Sequence, residues 1–211
     1  VKTFPPAAGT SRLDRPRNPL PPYEMRPLRT DAERAEAAAL VQDHQRWLAL
    51  SGLAIPADIS ASTLSKAPAT PAVGLFENGL LLACMTAQRV PDLAWGGGPC
   101  LFLGHVHILP DRLDDTARLI TLWGSDAAAR EDLPLVRTEM PARGALAAEP
   151  LASRLRRLID LGWDLRGPGP GRNGDRVARL ELVAEQRSGL SALIGDDVRM
   201  TFASPPDRTD A

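Results

Sequence analysis

The sequence has few cysteines, few aromatics, no strong charge of either sign and no long apolar run. Cys84 and Cys100 are the two cysteines, and they lie in apolar contexts without metal-ligand spacing. They are expected to be reduced core residues, which excludes a disulfide framework and a zinc site. Aromatic residues make up 4% of the chain. No apolar stretch reaches membrane-spanning length, and the first residues lack a basic-then-apolar pattern. The expected setting is therefore the reducing cytoplasm, with no membrane partner. A net charge of −1 gives no general pull toward nucleic acid or lipid. Gly-x-Ser-x-Gly, Walker, dinucleotide-binding and Cys-x-x-Cys patterns are all missing. Ser125 falls inside a helical pattern, so it is not read as a nucleophile.

What is present is a 44% hydrophobic, 24% charged chain of 211 residues, the profile of one soluble globular domain. Its organising stretch runs from Pro99 to Met140. Leu101–Leu109 is an apolar run stopped by Pro110. Asp114 or Asp115 is expected to cap the helix that follows. Thr116, Leu119, Ile120, Trp123 and Ala127 recur at spacings of three and four, one buried stripe. Leu133-Pro134 ends the helix, and Leu135–Met140 reads as a strand. Strand, helix, strand implies a right-handed crossover between parallel strands. Such a unit sets helix amides beside a strand end, where anions bind. Here that turn, Asp111 to Ala117, has no glycine and three carboxylates.

Before it, residues 1–22 are rich in Pro, Arg and small residues and read as a flexible tail. Tyr23–Leu28 is a short strand, with Pro27 marking an edge or an early end. Thr30 or Asp31 caps a helix whose buried stripe is Ala37, Leu40, Val41, His44 and Leu48, and Gly52 stops it. A short helix is expected near Pro56–Ser60. Asn78-Gly79 between two apolar runs is a hairpin signal, because both positions tolerate positive φ. Trp95 lies in a glycine-rich loop that precedes no helix, so the loop is not read as a phosphate cradle.

After Met140, Leu151, Leu155, Leu158 and Ile159 form one helical face. Arg154, Arg156 and Arg157 are read as the solvated side, with RNA phosphates as the rarer use. Gly162 ends that helix. Trp163–Arg166 is a strand, 167–175 a loop and Val177–Val183 a last strand. Glu185–Ile194 reads as partly helical. The globular domain is bounded at 23–195, with 196–211 a C-terminal tail.

This order resembles the Gcn5-related N-acetyltransferase (GNAT) superfamily over Tyr23 to Val183. The hairpin feeding Leu101–Leu109, the Ile108–Arg112 strand-turn and the closing strand pair carry the resemblance. It implies an α/β fold with a mixed, mostly antiparallel central sheet and helices on both faces. It also implies parallel strands splaying near Val106 and Arg137 to make a cleft. The implied activity is acyl transfer to the amine of a small molecule, by direct attack. In that family the central turn reads Arg/Gln-x-x-Gly-x-Gly/Ala and cradles coenzyme A pyrophosphate; here it reads Arg112-x-x-Asp115-x-Ala117. Ile108, Leu109, Arg112, Asp115, Thr116, Ala117 and Arg118 are thus the candidate acetyl-CoA or acyl-CoA residues. Asp115 at a glycine position, beside Asp114, predicts weak acetyl-CoA binding.

His105 and His107, two apart on one strand, are expected to share a face. Either is a candidate general base, with His107 preferred and His105 second, against a packing role for both. A metal pair with Asp111 is the lesser alternative, and no metal is expected. His44 on its apolar stripe and Trp95 in its loop are candidate substrate contacts. Two other functions fit the same fold. An aminoacyl-tRNA donor would require a basic path through Arg112, Arg137, Arg143, Arg154, Arg156 and Arg157. A non-catalytic binding domain would show a cleft lined by carboxylates without cations.

Overall fold

The computed structural model describes residues 20–55, 72–142, 144–199 and 201–202. Residues 1–19 of the expected tail, the short helix near Pro56–Ser60, Arg143 and residues 203–211 lie outside these. The first strand, β1 (Tyr23–Pro27), buries Met25 and ends at its proline. Thr30 then caps α1 (Asp31–Leu50). Its Oγ1 accepts from Glu33 N at 3.1 Å, and Glu33 Oε2 accepts from Thr30 N at 3.0 Å. The five residues expected on the inner stripe of α1 are its buried residues. Gly52, at φ 69°, follows the helix end.

A hairpin comes next. β2 (Ala72–Glu77) and β3 (Leu80–Val90) pair antiparallel across Asn78 at φ 50° and Gly79 at φ 86°. These values are those of the tight turn that matches strand twist. β4 (Cys100–Ile108) pairs antiparallel with β3. A 3₁₀ turn, Pro110–Arg112, leads into α2 (Leu113–Arg130). The expected cap is corrected here: Asp114 and Asp115 lie inside the first turn, and the N-cap is Arg112 without a side-chain bond. The two carboxylates still favour the positive end of the helix dipole. The stripe from Thr116 to Ala127 is buried as expected.

β5 (Leu135–Pro141) runs parallel to β4, so the crossover holds. α3 (Leu151–Asp160) follows, then β6 (Asp164–Pro170) and β7 (Arg176–Val183). On α3, Leu151 and Leu155 are buried, while Ile159 is exposed, contrary to expectation. β6 also continues through Gly167–Pro170, where the composition predicts a loop. It is the edge strand, and proline is tolerated there because no outer neighbour needs its N–H. The expected helix over Glu185–Ile194 shrinks to α4 (Leu190–Leu193). The chain past 195 is no tail throughout. Asp196 ends β8 (Ile194–Asp196), and β9 (Thr201–Phe202) pairs parallel with β3.

The sheet order is β6-β7-β5-β4-β3-β2-β1-β8, with β9 beside β3. The β4–β5, β1–β8 and β3–β9 pairs are parallel and the rest antiparallel. Ala37, Leu40 and Val41 of α1 pack on one face against Phe76, Leu81 and Cys84. On the other face Leu119, Ile120 and Trp123 of α2 and Leu155 of α3 join Leu101, Leu103, Val136 and Leu180. This is the α/β, helices-on-both-faces architecture. Both cysteines are free and buried, and burial pushes the Cys84 thiol up to about 12. Among the described residues, no helix is long and apolar enough to cross a membrane.

Candidate active site

Two irregularities in β4 make the site. The first is a bulge. Thr86 of β3 faces Gly104 and Cys84 faces His107, so β4 takes three steps where β3 takes two. His105 absorbs the difference at φ 51°, a left-handed conformation costly for a residue with a Cβ. Gly104 is required beside it: a Cβ there would lie 2.8 Å from Thr86 Oγ1, which donates to Gly104 O at 3.1 Å. The expectation that His105 and His107 share a face is thereby corrected. Gly104 and His107 face the same side, and strand alternation is broken between them.

The second irregularity is the end of the β4–β5 ladder. Pairing runs from Cys100↔Leu135 to Leu103↔Thr138 and stops there, closed by Thr138 Oγ1 donating to Leu103 O at 2.8 Å. The strands diverge just after Arg137, close to the expected place. A cleft of about 810 Å³ opens at this fork. Its walls include His44 and Trp47 of α1, His105, Val106 and His107 of β4, Leu113, Asp114 and Ala117 of α2, and Arg154 and Arg157 of α3.

At the inner end lies a polar chain. Arg154 Nη2 is 3.5 Å from His44 Nε2, and His44 Nδ1 is 3.2 Å from His107 Nδ1. The Arg154 guanidinium also sits over the Trp47 ring, 5.5 Å from its centroid, and His44 stacks on the same ring. Burial, with Arg154 and the other imidazoles adding to it, lowers His44 to about 3 and His107 to about 4. Both imidazoles are neutral at pH 7. A guanidinium only donates, so His44 Nε2 must accept. The His44 proton then sits on Nδ1 and is donated to His107 Nδ1. That leaves His107 Nε2 as an N–H, sealed from solvent and without a hydrogen-bond partner among the described residues. Arg154 Nη1 is sealed and unpartnered in the same way.

Arg154 is a cleft residue whose place its charge disguises. Its charge puts it on the solvated side of α3, yet it lies on the inner stripe, three after Leu151 and four before Leu158. That spacing is the available signal. Burial, with a smaller contribution from Arg157, lowers its pKa to about 10, so it stays charged at neutral pH.

The other candidates divide. Ile108 and Ala117 line the cleft. Leu109 packs toward α1 instead, and Thr116 is fully buried. Arg112 turns away to Glu77, which accepts from its two terminal nitrogens at 3.0 and 3.4 Å. Arg118 and Asp115 are exposed and are not among the cleft residues. The carboxylate that this turn sets on the cleft wall is Asp114, held by Arg157 at 2.7 Å. The central turn therefore fits a pyrophosphate poorly: its arginine is engaged elsewhere, and a carboxylate stands in the glycine's neighbourhood.

Trp95 does not line the cleft. Its Nε1 donates to Glu139 at 2.6 Å from outside. Its glycine loop presents carbonyls, not amides. Gly96, Gly97 and Gly98 oxygens accept from Arg137, whose Nε donates to Glu181 at 2.8 Å. His105, His107 and Asp111 form no three-residue metal cluster, and no such group occurs among the described residues. The basic path for a tRNA donor is broken. Arg112, Arg156 and Arg157 are paired with Glu77, Glu149 and Asp114, and Arg137 is buried.

A mixed, mostly antiparallel sheet with helices on both faces and a fork between its parallel β4 and β5 is the fold of the Gcn5-related N-acetyltransferase superfamily, and this chain has that fold. Solved structures agree. The ribosomal-protein-S18-alanine N-acetyltransferase from Escherichia coli matches with a TM-score of 0.52 at 16% identity, covering 79% of this chain and 97% of that one. The aminoglycoside N(6')acetyltransferase from Legionella pneumophila matches at 0.57 and 9% identity, over 78% and 93%. The aminoglycoside 6'-N-acetyltransferase from Enterococcus faecium matches at 0.50 and 12%, over 77% and 98%. No protein-family model matches the sequence, and no curated protein matches it in sequence.

Proposed function

We propose that this protein is an N-acyltransferase that moves an acyl group onto an amine in the cleft. The observation that carries the reading is the fork: β4 leaves β5 after Leu103, and two histidines of the bulged segment border the space so formed. In direct transfer the amine nitrogen bonds to the acyl carbon, the bond to the donor's leaving group breaks, and the nitrogen loses a proton. Holding both reactants in one cleft supplies proximity. A neutral imidazole supplies the proton acceptor.

The hydrogen-bond chain supports different roles for the two histidines. With Nδ1 accepting from His44, His107 offers an N–H to a ligand oxygen, so it is a donor. The base role moves to His105, which the bulge sets beside it. Coenzyme A is a candidate donor, but the turn before α2 fits its pyrophosphate poorly, and no step here depends on it. The acyl acceptor is a small molecule. Arg154, Arg157, Arg172 and Arg176 line the cleft beside its carboxylates, and Arg157 pairs with Asp114, which weighs against the non-catalytic reading.

The test is an assay of acyl transfer from acyl-CoA donors to a panel of small amines. Turnover is expected, and His105→Ala should lower it by about 10²–10⁴-fold. Nitrogen-15 spectra should show His44 protonated on Nδ1 and His107 on Nε2. Finding the His107 proton on Nδ1 would return the base role to His107. Absence of transfer from every donor would overturn the reading.

A further inference from the structure

Two buried donors belong to residues that border this cleft, and nothing among the described residues receives them. Arg154 Nη1 and His107 Nε2 are each sealed from solvent and unpartnered, and both residues border the same space. No carboxylate among the described residues pairs with Arg154; the acidic residue that α2 sets on the same wall, Asp114, is held by Arg157. A guanidinium withdrawn from water without a counter-ion is costly, and so is a buried N–H without an acceptor. Polar strain of this kind at the end of a ligand-sized cleft marks the place where a ligand supplies the missing charge and oxygens.

We propose that the inner end of the cleft is a carboxylate-binding pocket, in which Arg154 pairs with a carboxylate of the acyl acceptor and His107 Nε2 donates to a ligand oxygen. The acceptor class is then an amine that also carries a carboxylate, an amino acid or a short acidic amine. Charge balance selects a carboxylate over a phosphate. One guanidinium beside two neutral imidazoles neutralises one negative charge, and a phosphate dianion would leave a net charge buried. The planar fork of Arg154 matches the two oxygens of a carboxylate. Trp47 holds the guanidinium plane from behind. Which molecule carries the carboxylate rests on the acyl-transfer reading; the pocket does not.

The experiment uses the full chain without any acyl donor. The Arg154 Nε–H and His107 Nε2–H resonances are followed while acetate is added at constant ionic strength, against chloride and the neutral isostere acetamide. Acetate should shift both resonances saturably, with acetamide and chloride inert. Arg154→Met should weaken acetate binding at least ~10-fold, and Arg154→Lys should retain some of it. No saturable shift with acetate, an equal response to acetamide, or preference for inorganic phosphate would overturn the pocket. The wild-type comparison of acetate with acetamide stands even if a variant fails to fold. Acetate binding without any acyl transfer would sink the enzymatic reading alone. Transfer confined to amines that lack a carboxylate, with no acetate binding, would sink the pocket alone.

Discussion

At the scale of single residues, the neutral imidazoles of His44 and His107 couple the cleft to pH. Their folded values, about 3 and about 4, lie below the ordinary 6.5. Above pH 6.5 neither the folded nor the unfolded chain protonates them, and their full contribution to stability is present. As pH falls below 6.5 the unfolded chain takes up protons that the folded chain refuses. Stability is then expected to drop by about 1.4 kcal/mol per pH unit for each imidazole still neutral, down toward pH 4. Urea unfolding at pH 7, 6 and 5 checks this, and His44→Leu should flatten the slope. A second residue prediction concerns Asp114. Asp114→Asn removes the carboxylate that the turn before α2 sets on the cleft wall and frees Arg157, so acyl-CoA should bind roughly tenfold tighter, the equivalent of about 1.4 kcal/mol. Asp115→Gly should matter less, because Asp115 is off the cleft. Calorimetry on the two variants ranks them, and equal effects would reject this placement of the turn.

At the scale of elements, helix α1 depends on a reciprocal cap. Thr30→Ala should cost about 0.5–2 kcal/mol in denaturant unfolding, and it should weaken the bonds that hold Glu33 down at about 2. The sequence narrows that cap to Thr30 or Asp31, because capping is a matter of a few consecutive residues, and the structure selects Thr30. The stripes of α1 and α2 and the Asn78-Gly79 hairpin are readable for the same reason. What escapes a sequence reading is set by distant neighbours. Gly167–Pro170 looks like a loop until β6 is known to be the sheet edge. The bulge at His105 is suggested by Gly104 yet fixed only by pairing with β3. Arg154 reads as solvated by its charge, while its spacing from Leu151 and Leu158 places it inward, and nothing local announces that His44 and Trp47 wait across the cleft.

At the scale of the whole molecule, Arg137 ties β5 to β7 and to the loop between β3 and β4. It is 2% exposed, and its donors are taken up by Glu181 and three glycine carbonyls. Glu181→Leu leaves that guanidinium buried without its anion and should destabilise the fold by about 3–5 kcal/mol. Arg137→Lys should fail to substitute, because an ammonium cannot span the fork of acceptors. Thermal unfolding of the two variants tests both statements, and a change within experimental error would show the clamp to be dispensable.

The outermost pairing of the sheet joins the two ends of the described chain: Tyr23, Glu24 and Met25 of β1 lie beside Ile194, Gly195 and Asp196 of β8. Seen as an order of events during synthesis, this means that β1 leaves the ribosome long before the strand β8 that covers its edge. Until Asp196 emerges, β1 has β2 on one side and an open row of amides and carbonyls on the other. An open edge of that kind recruits other strands, and pairings between remote segments form late. A nascent chain halted before Ile194 should therefore be the species most prone to associate, and the one a chaperone has most reason to hold.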